Sequence, residues 1–169
     1  MQTQSTSRLV HDVMQSNVVT LKPDALLADV ASTFMRHGIS GAPIVDDQGK
    51  CVGVISITDI ANAVSDEPRI AAELADEFFG QANLVLPAYV YEARLAKIQD
   101  RLTPIAEQPI SSIMASTVVT VHEEDKLSVA MKRLVESDIH RLVVVDDYDR
   151  LKGIISTIDV IKALIDDTP

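Results

Sequence analysis

A chain of 169 residues that is 47% hydrophobic and 24% charged has an ordinary globular composition and is long enough for one well-buried domain or two intimate halves. Fifteen Lys and Arg against 25 Asp and Glu leave a formal charge of -10, whose field repels nucleic acid and anionic lipid and argues against a DNA-binding or membrane-surface role. The single cysteine, Cys51, excludes an internal disulfide, and no apolar run approaches the roughly 18 residues of a membrane-spanning helix.

Met1 to Arg8 is polar with no apolar signal core, so a cytoplasmic location is expected, and residues 1–10 read as a loosely packed lead-in. Val18 to Leu21 reads as a short strand, stopped by Lys22-Pro23-Asp24. Leu27, Val30, Ala31, Phe34 and Met35 then follow the i, i+3, i+4 spacing of an amphipathic helix, with Gly38 as its stop. Ile39 to Val45 and Cys51 to Ile55 are strands joined by Asp46-Asp47-Gln48-Gly49, whose Asp and Gly residues suit a hairpin turn. Ser56 opens a second helix through Ile60, Ala61 and Val64.

Residues 66–109 form a helical insert, with one helix marked by Ile70, Leu74 and Phe78 and another by Tyr91, Leu95, Ile98 and Leu102. Its aromatic residues Phe78, Phe79, Tyr89 and Tyr91 are expected to pack the insert onto the rest of the chain. The first order of elements then returns. Val118 to Val121 is a strand, Leu127, Ala130, Met131, Leu134 and Val135 mark a helix, Ile139 to Val145 and Leu151 to Ile155 are strands, and Ile161 and Leu164 lie on a last helix. The apolar run Leu142 to Val145 suggests a strand covered on both faces.

The second half repeats the first at a spacing of one hundred positions, from Val13/Ile113 and Met14/Met114 to Asp59/Asp159 and Ile60/Val160. The organisation is thus an α/β (α+β) fold of two β-α-β-β-α copies, residues 11–65 and 110–166, expected to share one core with a functional cleft between them.

Three motifs recur in each copy: the opening Met-x-x-x-Val-Val-Thr (Met14 to Thr20, Met114 to Thr120), the middle Ile-Ser-Gly-Ala-Pro-Ile-Val-Asp (Ile39 to Asp46) or Ile-His-Arg-Leu-Val-Val-Val-Asp (Ile139 to Asp146), and the closing Gly-x-x-Ser-x-x-Asp of Gly53 to Asp59 and Gly153 to Asp159. In these motifs each copy resembles a CBS domain. The run His140-Arg141-Leu142 is similar to a repeat of the regulatory gamma subunit of AMP-activated protein kinase. The resemblance implies a tandem pair of the Bateman type with pseudo-twofold symmetry, clefts that hold adenine nucleotides in many relatives, and pairing of two such modules as a homodimer through their apolar helices.

The closing motif supports two readings. In one, Ser56 caps the helix and the Asp59 carboxylate reaches back to the Ser56 amide, a capping box that needs no ligand. In the other, Asp59 accepts hydrogen bonds from a ribose diol while Ser56 and the helix amides attract phosphate. Spacing alone favours the cap; the resemblance favours the ribose role for Asp59 and Asp159. Carried over from the family, one site pairs Ser156 and Asp159 with Val18, Val19, Ile39, Ser40 and Gly41, and the other pairs Ser56, Thr58 and Asp59 with Val118, Val119, Ile139, His140 and Arg141. Arg141 suits phosphate, whereas Ser40 and Gly41 supply no charge, so the Asp159 site is better suited to an uncharged adenosine-like molecule.

His11, His37, His122 and His140 are too scattered for a metal site, and Asp46-Asp47 and Asp146-Asp147 read as turn residues rather than acid/base catalysts. The sequence has neither a P-loop nor a Gly-rich dinucleotide turn. The expected function is that of a non-enzymatic regulatory module binding AMP, ADP or ATP, with no resident cofactor and an unknown regulated protein as partner. The alternatives are S-adenosylmethionine or NAD as ligand, or an association module whose clefts stay empty.

Overall fold

The computed structural model describes residues 8–64 and 105–166. The helices expected around Ile70 to Phe78 and Tyr91 to Leu102, and the insert aromatics, lie outside the described residues. In chain order the elements are α1 (Leu27–His37), β1 (Gly41–Val45), β2 (Cys51–Ser56), α2 (Ile57–Val64), β3 (Thr120–His122), α3 (Leu127–Glu136), β4 (Arg141–Val145), β5 (Leu151–Ser156) and α4 (Thr157–Asp166). Single 3-10 turns at Val10–Asp12 and Ile110–Ser112 open the two copies.

The copies therefore show the expected mixed α/β order, with one difference at the first strand. In copy two it is β3, which begins at Thr120 rather than Val118. In copy one it shrinks to a single parallel bridge between Leu21 and Ile44.

The compact units do not coincide with the copies. One is drawn from Met1–Val19, Val45–Cys51 and Thr117–Pro169, and the other from Thr20–Ile44 and Val52–Ser116. Each copy's leading segment thus serves the other copy's elements. Instead of the single core expected, the described residues form two. Leu27, Val30, Ala31, Phe34, Ala42, Ile44, Ile55, Ile57, Ile60 and Ala61 bury themselves with Ile110, whereas Val121, Leu127, Ala130, Leu134, Leu142, Val144, Ile155, Val160 and Ala163 do so with Val10. Residues 8–10 are accordingly docked rather than loose: Val10 has 0% of its surface exposed. Burying a side chain of this size stabilises by about 1.5–3 kcal/mol, which fixes the segment.

The docked segments also explain why α1 and α3 begin without a side-chain cap at Leu26 and Lys126. Backbone carbonyls occupy their first N–H groups: Leu27 N–H donates to Gln108 O (3.1 Å) and Ala28 N–H to Ala106 O (3.2 Å), while Leu127 N–H donates to Arg8 O (2.8 Å). A helix start satisfied by a distant chain segment needs no Ser or Asp at its cap.

In the first unit the sheet order is β3-β4-β5, with β3 parallel to β4 and β4 antiparallel to β5. Leu142 to Val145 are all buried, as their unbroken apolar run predicts. Gln15 extends this sheet, bridging Ile154 of β5 in antiparallel fashion. In the second unit β1 pairs β2, and Ala115 bridges Val54 in the same way. The hairpin aspartates serve local backbone, as expected: Asp46 Oδ1 accepts from Gln48 and Lys50 N–H, both at 2.9 Å, and Asp146 Oδ1 accepts from Tyr148 (2.9 Å) and Arg150 (3.0 Å). Val135, on the predicted apolar face, is instead 79% exposed: four residues after Met131 and eight after Leu127, it has rotated past the edge of α3 that Leu127, Ala130 and Leu134 bury.

Candidate functional site

Both closing motifs place Ser at the end of a strand and Asp in the first turn of the helix that follows, Ser56–Asp59 at β2–α2 and Ser156–Asp159 at β5–α4. In each, the serine and aspartate close on one another. Asp59 Oδ2 accepts from Ser56 N–H (2.7 Å) and from the Ser56 hydroxyl (2.6 Å), and Asp59 N–H donates to Ser56 Oγ (3.3 Å). The distances at the second motif are 2.9, 2.5 and 3.2 Å. The capping box read from the spacing is therefore formed twice, and the negative charge sits where the helix dipole favours it.

The two carboxylates then part company. Asp159 is buried, 8% exposed, and its Oδ1 accepts from the Gln15 side-chain amide at 2.9 Å. Asp59 is half-buried, and its Oδ1 has no hydrogen-bond partner among the described residues. Burial acts to raise the Asp159 pKa. The Ser156 hydroxyl, the Gln15 amide, the Ser156 N–H and the Lys162 charge outweigh it, so the carboxyl titrates below the ordinary carboxylate value.

The other expected site residues divide between the units. With Asp59 in the second unit are Ile39, Ser40 and Gly41. Ser40 O accepts from Ile57 N–H at 3.0 Å, and Gly41 lies so close to β2 that a Cβ would stand 3.0 Å from Ile55 O and 3.6 Å from Ser56 Cβ. Thr58 is exposed on α2, and Ile39 packs against the apolar cluster. With Asp159 in the first unit are Val18, Val19, Val118, Val119, Ile139, His140 and Arg141. His140 O accepts from Thr157 N–H (3.0 Å) and Thr157 Oγ1 (3.3 Å), and Arg141, exposed at the head of β4, is the register partner of Ser156. Val18, Val19 and Val118 are half-buried, whereas Val119 is 36% exposed.

Sequence reasoning missed Gln15. A signal existed: position 15 differs from position 115 (Gln against Ala) while Met14/Met114 and Ser16/Ser116 on either side agree. What the sequence did not supply was the pairing that sets residue 15 beside β5. Among the described residues no group of three or more His, Cys, Asp or Glu side chains could hold a metal ion, and no helix is long and apolar enough to cross a membrane.

Three comparisons bear on this arrangement. An uncharacterized protein of Methanocaldococcus jannaschii, MJ1426, is 28% identical over 165 residues, spanning 93% of this chain and 91% of its own length. The CBS domain pair of protein MJ0100, solved in complex with 5'-methylthioadenosine and S-adenosyl-L-methionine, is 25% identical, with a TM-score of 0.61 over 92% of this chain and 98% of that one. CBSX2 of Arabidopsis thaliana, solved in complex with AMP, shares the fold at 21% identity, with a TM-score of 0.67 over 96% of this chain and 100% of that one. The CBS domain family model matches residues 10–66 and 110–166, the same two stretches that carry the repeated motifs, so the chain belongs to the CBS domain family and carries two copies of that domain in tandem.

Proposed function

We propose that the chain is a non-catalytic regulatory module that binds an adenosine-containing ligand of the AMP, ADP or ATP type, with Ser56, Thr58 and Asp59 as its sugar-binding motif. The observation that carries this reading is the half-formed engagement of Asp59. One oxygen fixes the carboxylate through Ser56, and the other, without a partner among the described residues, is the acceptor for a ribose hydroxyl. A charged acceptor held rigid by its own cap needs no reorganisation when the ligand arrives, which favours binding. Family membership supports the ligand class, and the similarity to a CBS pair bound to two adenosyl compounds keeps S-adenosylmethionine beside AMP as a competing ligand. The family pattern implies Val118, Val119, Ile139, His140 and Arg141 as base and phosphate residues, and that role is proposed for each of them. Regulation follows if the ligand binds two arrangements of the protein with different affinity.

Titration calorimetry with AMP, ATP, NAD and S-adenosylmethionine tests the proposal. Micromolar-range binding of at least one is expected, weakened about tenfold or more by Asp59→Ala, since a hydrogen bond to a charged group is worth roughly 1.5–3 kcal/mol. No binding across the panel would overturn it.

A second reading, as an association module, is favoured by α4. Ile158, Ile161 and Ile165 are 58, 45 and 65% exposed and lie at helical spacing along one stripe. Such a stripe is a plausible isologous dimer face, and the two roles are compatible.

A further inference from the structure

Gln15 and Ala115 occupy the same place in the two copies. Gln15 N–H donates to Ile154 O at 2.8 Å and Ile154 N–H returns to Gln15 O at 2.9 Å; Ala115 N–H donates to Val54 O at 2.9 Å and Val54 N–H returns to Ala115 O at 3.0 Å. Each residue thus lies against the strand that ends in a closing Ser, but only one has a side chain that can donate. The Gln15 amide takes Asp159 Oδ1 at 2.9 Å, while Ser156 N–H and hydroxyl take Oδ2. A methyl group at position 115 offers Asp59 no hydrogen, and Asp59 Oδ1 has no partner among the described residues.

Given that the closing motifs read ribose, as proposed above, we infer that Gln15 is a specificity-determining residue that stands in for a sugar hydroxyl on Asp159, so that an adenosine-type ligand is accepted at Asp59 and refused at Asp159. The amide presents to Oδ1 the same kind of donor that a ribose hydroxyl would. A ligand entering there has to exchange a satisfied, charge-assisted hydrogen bond for an equivalent one and gains nothing by it. At Asp59 the same hydroxyl fills an acceptor that the described residues leave open. The nominally twofold module is in this way reduced to a single ribose site, by one side chain on a segment that belongs to the other copy.

The test uses the full chain and two uncharged probes, adenosine and 5'-methylthioadenosine, so that contacts to phosphate play no part. Calorimetry on the unaltered protein is expected to give roughly one site per chain. Gln15→Ala, which copies position 115, is expected to open a second site and raise the stoichiometry to roughly two. Gln15→Met keeps the length of the side chain without its donor, and it covers the case in which the smaller residue impairs folding. Conversely, Ala115→Gln is expected to weaken binding about tenfold or more by supplying Asp59 with the same surrogate. Two equal sites in the unaltered protein, or a stoichiometry unchanged by both Gln15 variants, would overturn the inference while leaving the ribose reading in place. Failure of all four proteins to bind either probe would overturn both.

Discussion

The sulfur of Met14 lies where a side chain on Gly153 would have to stand: a Cβ built on that glycine falls 2.8 Å from Met14 Sδ and 2.7 Å from Gln15 O. The opening methionine of one copy and the closing glycine of the other are therefore two halves of one contact, repeated as Met114 against Gly53. Gly153→Ala is expected to destabilise by about 1–3 kcal/mol, because the carbonyl it meets belongs to paired backbone and cannot swing aside. Gly53→Ala should cost less, since its nearest neighbour is the flexible Met114 thioether at 2.8 Å and the backbone lies at 3.0 Å. Chemical denaturation of the two variants side by side checks the order; equal losses would contradict it.

After α1 the chain turns through Gly38 at φ 61, whereas after α3 it turns through Asp138 at φ 50. A non-glycine residue in this left-handed region carries a steric penalty of about 1 kcal/mol. Asp138→Gly should recover part of it, offset by the greater freedom of glycine in the unfolded chain, for a net gain of at most about 1 kcal/mol. Gly38→Ala should move stability the other way. A thermal melt that shifts in the same direction for both would refute the assignment.

The lowered pKa of Asp159 links stability to pH in one direction only. A carboxyl that titrates lower folded than unfolded contributes stability above the unfolded value, about 3.9, and loses that contribution as the pH falls through the folded value. Asp159→Asn is therefore expected to destabilise near neutrality and to flatten the acid limb of the stability curve below pH ~4. Denaturant titrations from pH 7 to pH 2 would show it, and an unaltered acid limb would remove Asp159 from that role.

Arg141→Ala is expected to weaken AMP and ATP binding more than adenosine binding, because a guanidinium recognises phosphate and not the nucleoside. Equal losses for the three ligands in calorimetry would take Arg141 out of the phosphate role.

If the α4 stripe is a dimer face, a charge at its centre should break it. Ile161→Glu is expected to shift the sedimenting species from dimer to monomer while leaving the circular dichroism spectrum unchanged, since the side chain is 45% exposed and lies outside the buried cluster. A protein that sediments as a monomer before the substitution excludes this face.

Much of this was legible in the residues. Helical spacing placed α1 and most of α3, alternation and turn chemistry placed both hairpins, and Ser56-x-x-Asp59 announced its own cap. These features are local, and local rules read them. The misreadings arise where a distant segment decides the outcome. The spacing of Leu27, Val30 and Phe34 marks α1 but not what completes its start, where the first N–H groups are met by carbonyls at Ala106 and Gln108. Residues 8–10 look loose in isolation and are pinned by Val10 in a core assembled from copy two. Gln15 looks like an ordinary polar residue until its register against Ile154 brings it to Asp159. Periodicity predicts what an element buries, but it cannot say which remote stretch completes it.

The crossed leading segments also set a timetable for synthesis. The amide of Gln15 and the carboxylate of Asp159 are 144 positions apart, and Arg8 Nη1 donates to Ala163 O across 155. At about 5–20 residues per second, a ribosome needs roughly seven to thirty seconds to deliver the far side of such a contact. Until then Val10 and Met14 have no second-copy core to enter, and the nascent first half presents apolar surface. Pairings of such long reach close slowly even once the chain is released, and a fragment ending within copy two would leave the amino-terminal segment without its dock.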